Sequence, residues 1–287
     1  MVGPGIVAAF IAMSLFSIGD TLAKTAASSL GGRRTALYIV SSGVLPVFVM
    51  YAMFPPATLT AWLLGFNIVS GLLLAAGYLL VYESLKSEQA STTWALISIS
   101  PVALIIFGVY FLSESVNYLQ ASCIALILVG VLLITMKGMR FNVRMLPALL
   151  GNVCFAGFIL MAAYGISYYN GDFSLFFFIP RIFSVAIFAA YGVYASRSAP
   201  KPDKHTKFNV SRAKIAAIAS GLFDGCAQVA YAFMILLGPV AIGAAITASE
   251  PMLVMALAHI FYRERVVLIQ YAGIAMSVLG AVLISFV

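Results

Sequence analysis

Three ionisable side chains stand near the middle of long apolar runs: Arg181 within Phe173–Ala195, Asp224 within Ala213–Leu237 and Glu250 within Val240–Tyr262. A charge at the centre of a bilayer costs about 2.5–3.5 kcal/mol on insertion scales, so such residues mark a ligand path, a proton relay or an ion pair. Two readings fit. Around a central cavity, Glu250 or Asp224 would meet an ammonium group and Arg181 a carboxylate, a set that suits a zwitterion such as an amino acid. Packed on each other, Arg181 and one carboxylate would instead lock helices together. Two carboxylates against one guanidinium leave one negative charge over, so protons are a candidate co-substrate competing with the ligand. Glu250 is the preferred carboxylate, and Pro251 follows it. Proline removes a backbone donor and frees a carbonyl one turn back, giving a hinge or an exposed carbonyl; a kink re-satisfied by neighbouring helices is the alternative. Pro46 and Pro101 pose the same choice.

Other polar residues join this set by spacing. Asp224 and Gln228 are four apart and share a helix face, with Tyr231 following. Tyr78, Tyr82 and Trp94 form an aromatic cluster, and rings with polar tips suit an amphiphilic ligand or a cation. The expected binding set is therefore Glu250, Asp224, Arg181, Gln228, Tyr78, Tyr82 and Tyr231, with Trp94 an interfacial anchor. Asp20 and Lys24, four apart near the end of the first apolar run, are expected to pair structurally, with a gate as the alternative. Glu114 and Glu264 end apolar runs where new helices begin, places where a carboxylate satisfies free amides and the helix dipole. His259 is read as a packing residue rather than a proton relay. Cys123, Cys154 and Cys226 lie far apart without metal-ligand spacing and read as buried free thiols. No metal site and no cofactor are expected, and no G-x-S-x-G, H-E-x-x-H, C-x-x-C or P-loop is present. An enzyme is therefore disfavoured, and transport would draw on a gradient rather than on ATP.

The elements that position these residues must be membrane helices. Of 287 residues 63% are hydrophobic and 9% charged, with mean hydropathy +1.08, against roughly a quarter charged in a soluble domain. Ten runs approach the ~20 residues that cross the hydrocarbon as a helix. They are Pro4–Lys24, Thr35–Phe54, Ala61–Leu85, Ala90–Leu112, Tyr118–Met136, Met145–Tyr168, Phe173–Ala195, Ala213–Leu237, Val240–Tyr262 and Val266–Val287. The first reads as a retained span rather than a signal peptide, since no basic segment precedes it. Ser196–Arg212 is expected to be an exposed polar loop. Fifteen of the 16 Lys and Arg residues fall at odd-numbered connections, Arg181 being the exception. The positive-inside rule makes that side cytoplasmic and places both termini outside. It also explains the net charge of +7 without nucleic acid. The expected surroundings are a lipid bilayer, as a multi-pass protein of a prokaryotic plasma membrane, with a small-molecule substrate and an open oligomeric state.

A fixed-offset repeat organises the ten runs. Pro101, Phe111, Glu114, Gln120, Gly130 and Leu133 recur as Pro251, Phe261, Glu264, Gln270, Gly280 and Leu283, each pair differing by 150 (251 − 101 = 150). Residues 1–136 and 145–287 are thus two copies of a five-helix unit. Five is odd, so the second copy enters the membrane from the opposite face. The expected fold is an all-α membrane protein of ten transmembrane helices in two inverted five-helix repeats. A cavity is expected between spans 1–4 and 6–9, with the charge-free spans 5 and 10 at the periphery. A channel is the rival to a transporter.

The repeated segment resembles the EamA-type branch of the drug/metabolite transporter superfamily. The resemblance rests on Pro101, Phe111-Leu112-Ser113-Glu114, Gln120, Leu126 and Gly130 in the first copy. In the second it rests on Glu250-Pro251, Phe261-Tyr262-Arg263-Glu264, Gln270, Gly273 and Gly280. Phe16-Ser17-Ile18-Gly19-Asp20 leading to Lys24 adds to it, as does Arg181 in the second span of a repeat. Two departures stand out: the first copy has Ser41-Ser42 in place of that Arg, and Ser100 where the second copy has Glu250. The resemblance implies a ten-helix transporter of small metabolites, most often amino acids, with cytoplasmic termini. It also admits nucleotide sugars, choline, quaternary drug cations and nucleosides, and a cation such as choline or a polyamine is the alternative to an amino acid.

Overall fold

Backbone polar groups inside a bilayer must be satisfied within the segment, which makes every span a helix. The computed structural model follows this rule and describes residues 3–57, 59–84, 99–135, 146–169, 172–196, 207–262 and 266–287, among which there is no strand. Span 1 is α1 (Pro4–Leu30), and span 2 is split into α2 (Gly32–Ser42) and α3 (Val44–Met53). Spans 3 to 5 are α4 (Ala61–Ser84), α5 (Ile99–Tyr110) and α6 (Tyr118–Thr135). Spans 6 to 8 are α7 (Leu146–Tyr168), α8 (Leu175–Ser196) and α9 (Lys207–Leu237). Span 9 is split into α10 (Val240–Ala248) and α11 (Glu250–Tyr262), and α12 (Leu268–Ile284) is span 10. Among the described residues six spans are individually long and apolar enough to cross a membrane, and the other four are shorter apolar helices. Trp94, His205 and Glu264 lie outside the described residues.

Two helices run beyond the limits that charge suggested. α1 continues past Lys24 to Leu30 and stops at Gly31, whose φ of 77° is the left-handed region glycine enters without strain. α9 begins at Lys207, inside the stretch expected to be loop. A basic residue marks where a helix leaves the hydrocarbon, not where it ends, and neither glycine nor proline interrupts 207–213.

The packing repeats under exchange of the two five-span units. Span 1 packs on span 8 and span 6 on span 3; span 2 packs on span 8 and span 7 on span 3; spans 4 and 9 face each other, as do spans 5 and 10. Each relation maps onto another when spans 1–5 are swapped with 6–10, as a twofold axis in the membrane plane requires. Small residues permit the close approaches. A Cβ on Gly5 would lie 2.5 Å from Gly238 Cα, and one on Gly130 would lie 2.7 Å from the Gly273 carbonyl oxygen. The Gly130–Gly273 contact belongs to spans 5 and 10, which pack mainly on each other.

At the end of the bundle that carries the connections after spans 2 and 6, Phe54, Phe173 and Phe233 form a ring-on-ring cluster with centroids 5.3–5.7 Å apart. There Asp172 Oδ1 accepts from the Ala57 amide (2.6 Å) and Ser174 donates to the Phe54 carbonyl.

Candidate functional site

The site grows from two interruptions in helices. At Gly43 span 2 breaks between α2 and α3, three residues before Pro46, whose missing N–H cannot bond the Ser42 carbonyl. The carbonyls of Ile39 and Val40 at this break receive Arg181 from span 7, through Nη2 (2.9 Å) and Nε (3.0 Å). Gly43 is required here, because any Cβ would enter the guanidinium. Arg181 Nη1 then donates to Asp224 Oδ2 of span 8 (2.6 Å) and to Tyr78 Oη of span 3 (2.8 Å). Tyr78 Oη also donates to Asp224 Oδ2 (2.7 Å) and accepts from Gln228 Nε2 (3.2 Å). Arg181 is 0% exposed and is held by four acceptors from three other spans. The pairing anticipated as the alternative to ligand binding is therefore realised for Asp224. The guanidinium that the sequence offered to a ligand carboxylate is already spent on the protein.

The second interruption is in span 9. α10 ends at Ala248, Ser249 turns (φ −80°, ψ 3°) and α11 opens with Glu250 and Pro251. Of the readings left open for Pro251, this is a true break in the helix. Span 1 is tied to it, since Ser17 Oγ donates to the Glu250 carbonyl (3.3 Å) and Ser249 Oγ to Met13 Sδ (3.1 Å).

Between the interruptions lies a cavity of about 110 Å³, several times the ~10–15 Å³ that one water needs on the same measure. Its walls come from the same three spans of each repeat: 1, 3 and 4 of the first, and 6, 8 and 9 of the second. Tyr78, Tyr82, Asp224, Gln228, Tyr231 and Glu250 all line it, so six of the seven residues selected from the sequence meet there, with Arg181 directly behind Asp224. Both members of three repeat-mate pairs line the cavity: Ser100 and Glu250, Pro101 and Pro251, and Tyr78 and Gln228. The shell is thus symmetric and its chemistry is not. Phe16, Phe155 and Phe158 complete an aromatic wall, with Phe155 edge-on to Tyr78 at 5.1 Å and Phe16 edge-on to Tyr231 at 6.1 Å.

Asp20 was underread. Its spacing from Lys24 suggested a structural pair at the end of span 1, yet Asp20 lines the cavity together with Glu250. The cavity wall therefore carries three carboxyl groups, Asp20, Asp224 and Glu250. Gln228, only 3% exposed, leaves its Oε1 without a protein partner while its amide N–H is committed to Tyr78. The Tyr78 hydroxyl has spent its proton on Asp224, so this orientation of the Gln228 amide follows from the network. An unsatisfied acceptor at a cavity wall seeks a donor from a ligand.

Glu114 does cap a helix, though not the following one. Its two carboxylate oxygens accept from the amides of Val240 (2.6 Å) and Ala241 (2.8 Å), the start of α10 in span 9. Among the described residues no cluster of metal-ligating side chains occurs.

Comparison with known proteins bears on this arrangement. No curated protein sequence matches the chain. A protein of known crystal structure superimposes over 99% of this chain and 98% of its own, with a TM-score of 0.69 at 13% identity, a likeness of fold. The sequence profile of the EamA-like transporter family matches twice, over residues 3–136 and 144–286. This protein, an integral multi-pass membrane protein built of two repeats, belongs to the EamA-like transporter family.

Proposed function

We propose that the protein is a secondary transporter working by alternating access, and that its substrate is a small organic cation with an apolar or aromatic body. One observation carries the substrate class: the cavity's uncommitted charge is negative. Arg181 is consumed by Asp224, Tyr78 and two carbonyls, leaving Asp20 and Glu250 as the ionisable groups for a ligand. Tyr78, Tyr82, Tyr231 and three phenylalanines surround them, and aromatic faces with a carboxylate form the usual receptacle for an ammonium group. The inverted repeat supports alternating access, because exchanging the two halves generates a second conformation of comparable energy open to the other side.

An amino acid is the second reading. It keeps the ammonium contact but needs a donor for its carboxylate other than Arg181. The first turn of α11, opening at Glu250 beside the cavity, is the element that offers one.

A thermal-shift screen of the purified protein separates the two. Benzyltrimethylammonium, choline and polyamines are compared with amino acids, their esters, nucleosides and nucleotide sugars. The expected result is stabilisation by cations and by amino acid esters above the free amino acids, reaching about 2.7 kcal/mol at a hundredfold excess over Kd. Stabilisation by nucleotide sugars or free amino acids alone would contradict the cation reading.

A further inference from the structure

The hydrogen-bond network beside the cavity has a direction. A guanidinium only donates and an ionised carboxylate only accepts. Arg181 Nη1 donates to Asp224 Oδ2 and to Tyr78 Oη, and Tyr78 gives its own proton to Asp224 Oδ2. Tyr78 Oη can then only accept, so the Gln228 side chain turns its N–H to it (3.2 Å) and its Oε1 elsewhere. That oxygen is buried and has no partner among the described residues, in a side chain that lines the cavity and is 3% exposed. Asn67 and Asn152 also keep a buried Oδ1 without a partner. Each of them donates to a carbonyl one turn back in its own helix, and neither lines the cavity. At Gln228 the open acceptor belongs to the wall of the site, one helical turn from Asp224 on the same span.

Resting on the cation reading above, we infer that Gln228 is a specificity-determining residue: its Oε1 accepts a hydrogen bond from an N–H of the substrate's cationic head, so the cavity prefers protonated amines to quaternary ammonium ions. A buried amide oxygen left unpaired has lost its water without replacement. A quaternary head answers the carboxyl groups and the aromatic wall but has no N–H to give. A protonated amine answers all three, and a hydrogen bond from a charged donor is about twice as strong as one between neutral groups. Tyr78 is a positioning residue in this scheme. By holding the Gln228 nitrogen it keeps the oxygen available, whereas a reversed amide would meet the cation with another donor. The selection therefore begins at Arg181, whose donor-only guanidinium sets the polarity of the whole chain from Asp224 through Tyr78 to Gln228.

The test compares two probes, benzylammonium and benzyltrimethylammonium, which share a ring and a charge and differ in their N–H groups. Their Kd values for the full-length protein purified in detergent are measured by calorimetry at pH 7, where an alkylamine is protonated as a lysine side chain is. The unaltered protein is expected to bind benzylammonium about tenfold tighter, the worth of one hydrogen bond from a charged donor. Gln228→Met and Gln228→Leu are expected to weaken benzylammonium by about tenfold and benzyltrimethylammonium by no more than about twofold, so that the preference is lost. Each variant is checked for monodispersity, and the second carries the comparison if the first fails to fold. The preference of the unaltered protein is a test that needs neither. Equal affinity for the two probes, or a preference undiminished in the variants, would overturn the assignment to Gln228 while leaving the cation reading intact. Binding of neither probe would overturn the cation reading, and this selection with it.

Discussion

At the scale of single residues, Arg181 and Glu250 divide the work that the sequence assigned to both. Arg181 is a bolt joining spans 2, 3, 7 and 8, and its planar fork serves acceptors that a point charge cannot reach together. Replacing it by Met should leave Asp224 uncompensated and lower stability by about 3–5 kcal/mol. Adding Asp224→Asn to that variant should restore part of the loss, read as recovery of the melting temperature. An unchanged melting temperature in the single variant would contradict the bolt. That Arg181 could pair with a carboxylate was legible in the sequence as one of two readings, but which carboxylate was not, because Asp224 and Glu250 are both mid-span. Asp20 was not legible, since a lysine four residues on supplied an adequate local partner and the cavity it shares with Glu250 joins opposite ends of the chain. The unsatisfied Gln228 Oε1 was equally hidden, because it depends on where the Tyr78 hydroxyl spends its proton.

At the scale of elements, Glu114 and the two glutamines of the repeated motif, Gln120 and Gln270, act at helix ends. Gln120 Oε1 accepts from the Asn117 amide (3.0 Å) and Gln270 Oε1 from the Val267 amide (3.1 Å), so the two repeat mates close the same turn at the start of α6 and α12. Glu114 reaches across to span 9 and caps α10, the half-helix leading to the Ser249 break. Sequence alone gave Glu114 the role of satisfying free helix amides but not the helix it serves, because the target amides belong to the other repeat. Removing this cap exposes two buried amides, so Glu114→Ala should lower stability by roughly 1–3 kcal/mol. The carboxylate does not line the cavity, and the affinity for a stabilising cation should change less than twofold. A loss of affinity with unchanged stability would assign Glu114 to the transport path instead. The breaks themselves were only partly readable. Pro46 and Pro251 marked their neighbourhoods, but the turns fall at Gly43 and Ser249, where a guanidinium and span 1 respectively occupy the gap.

At the scale of the whole molecule, the offset of 150 predicted a two-unit fold, and the packing of span on span repeats under exchange of the units. That much was legible because a repeat of fixed length needs no knowledge of contacts. The helix limits at Leu30 and Lys207 were less so, since charge reports the membrane edge and the helix continues through it. Symmetry in the shell and asymmetry in its charges are the combination a transporter needs: two exchangeable conformations around one site. In the conformation described here the Phe54–Phe173–Phe233 cluster and the Asp172 and Ser174 hydrogen bonds join the loops at one end. The inverted counterpart would have to release these contacts.

The most direct test is counterflow in proteoliposomes. Vesicles carrying the protein are loaded with unlabelled benzyltrimethylammonium and diluted into a trace of the labelled cation. Alternating access predicts a transient accumulation of label above equilibrium, saturable with external cation and lost in Glu250→Gln. Label that enters in proportion to concentration without overshoot, or an overshoot undiminished in Glu250→Gln, would contradict a carrier whose site is built on that carboxylate.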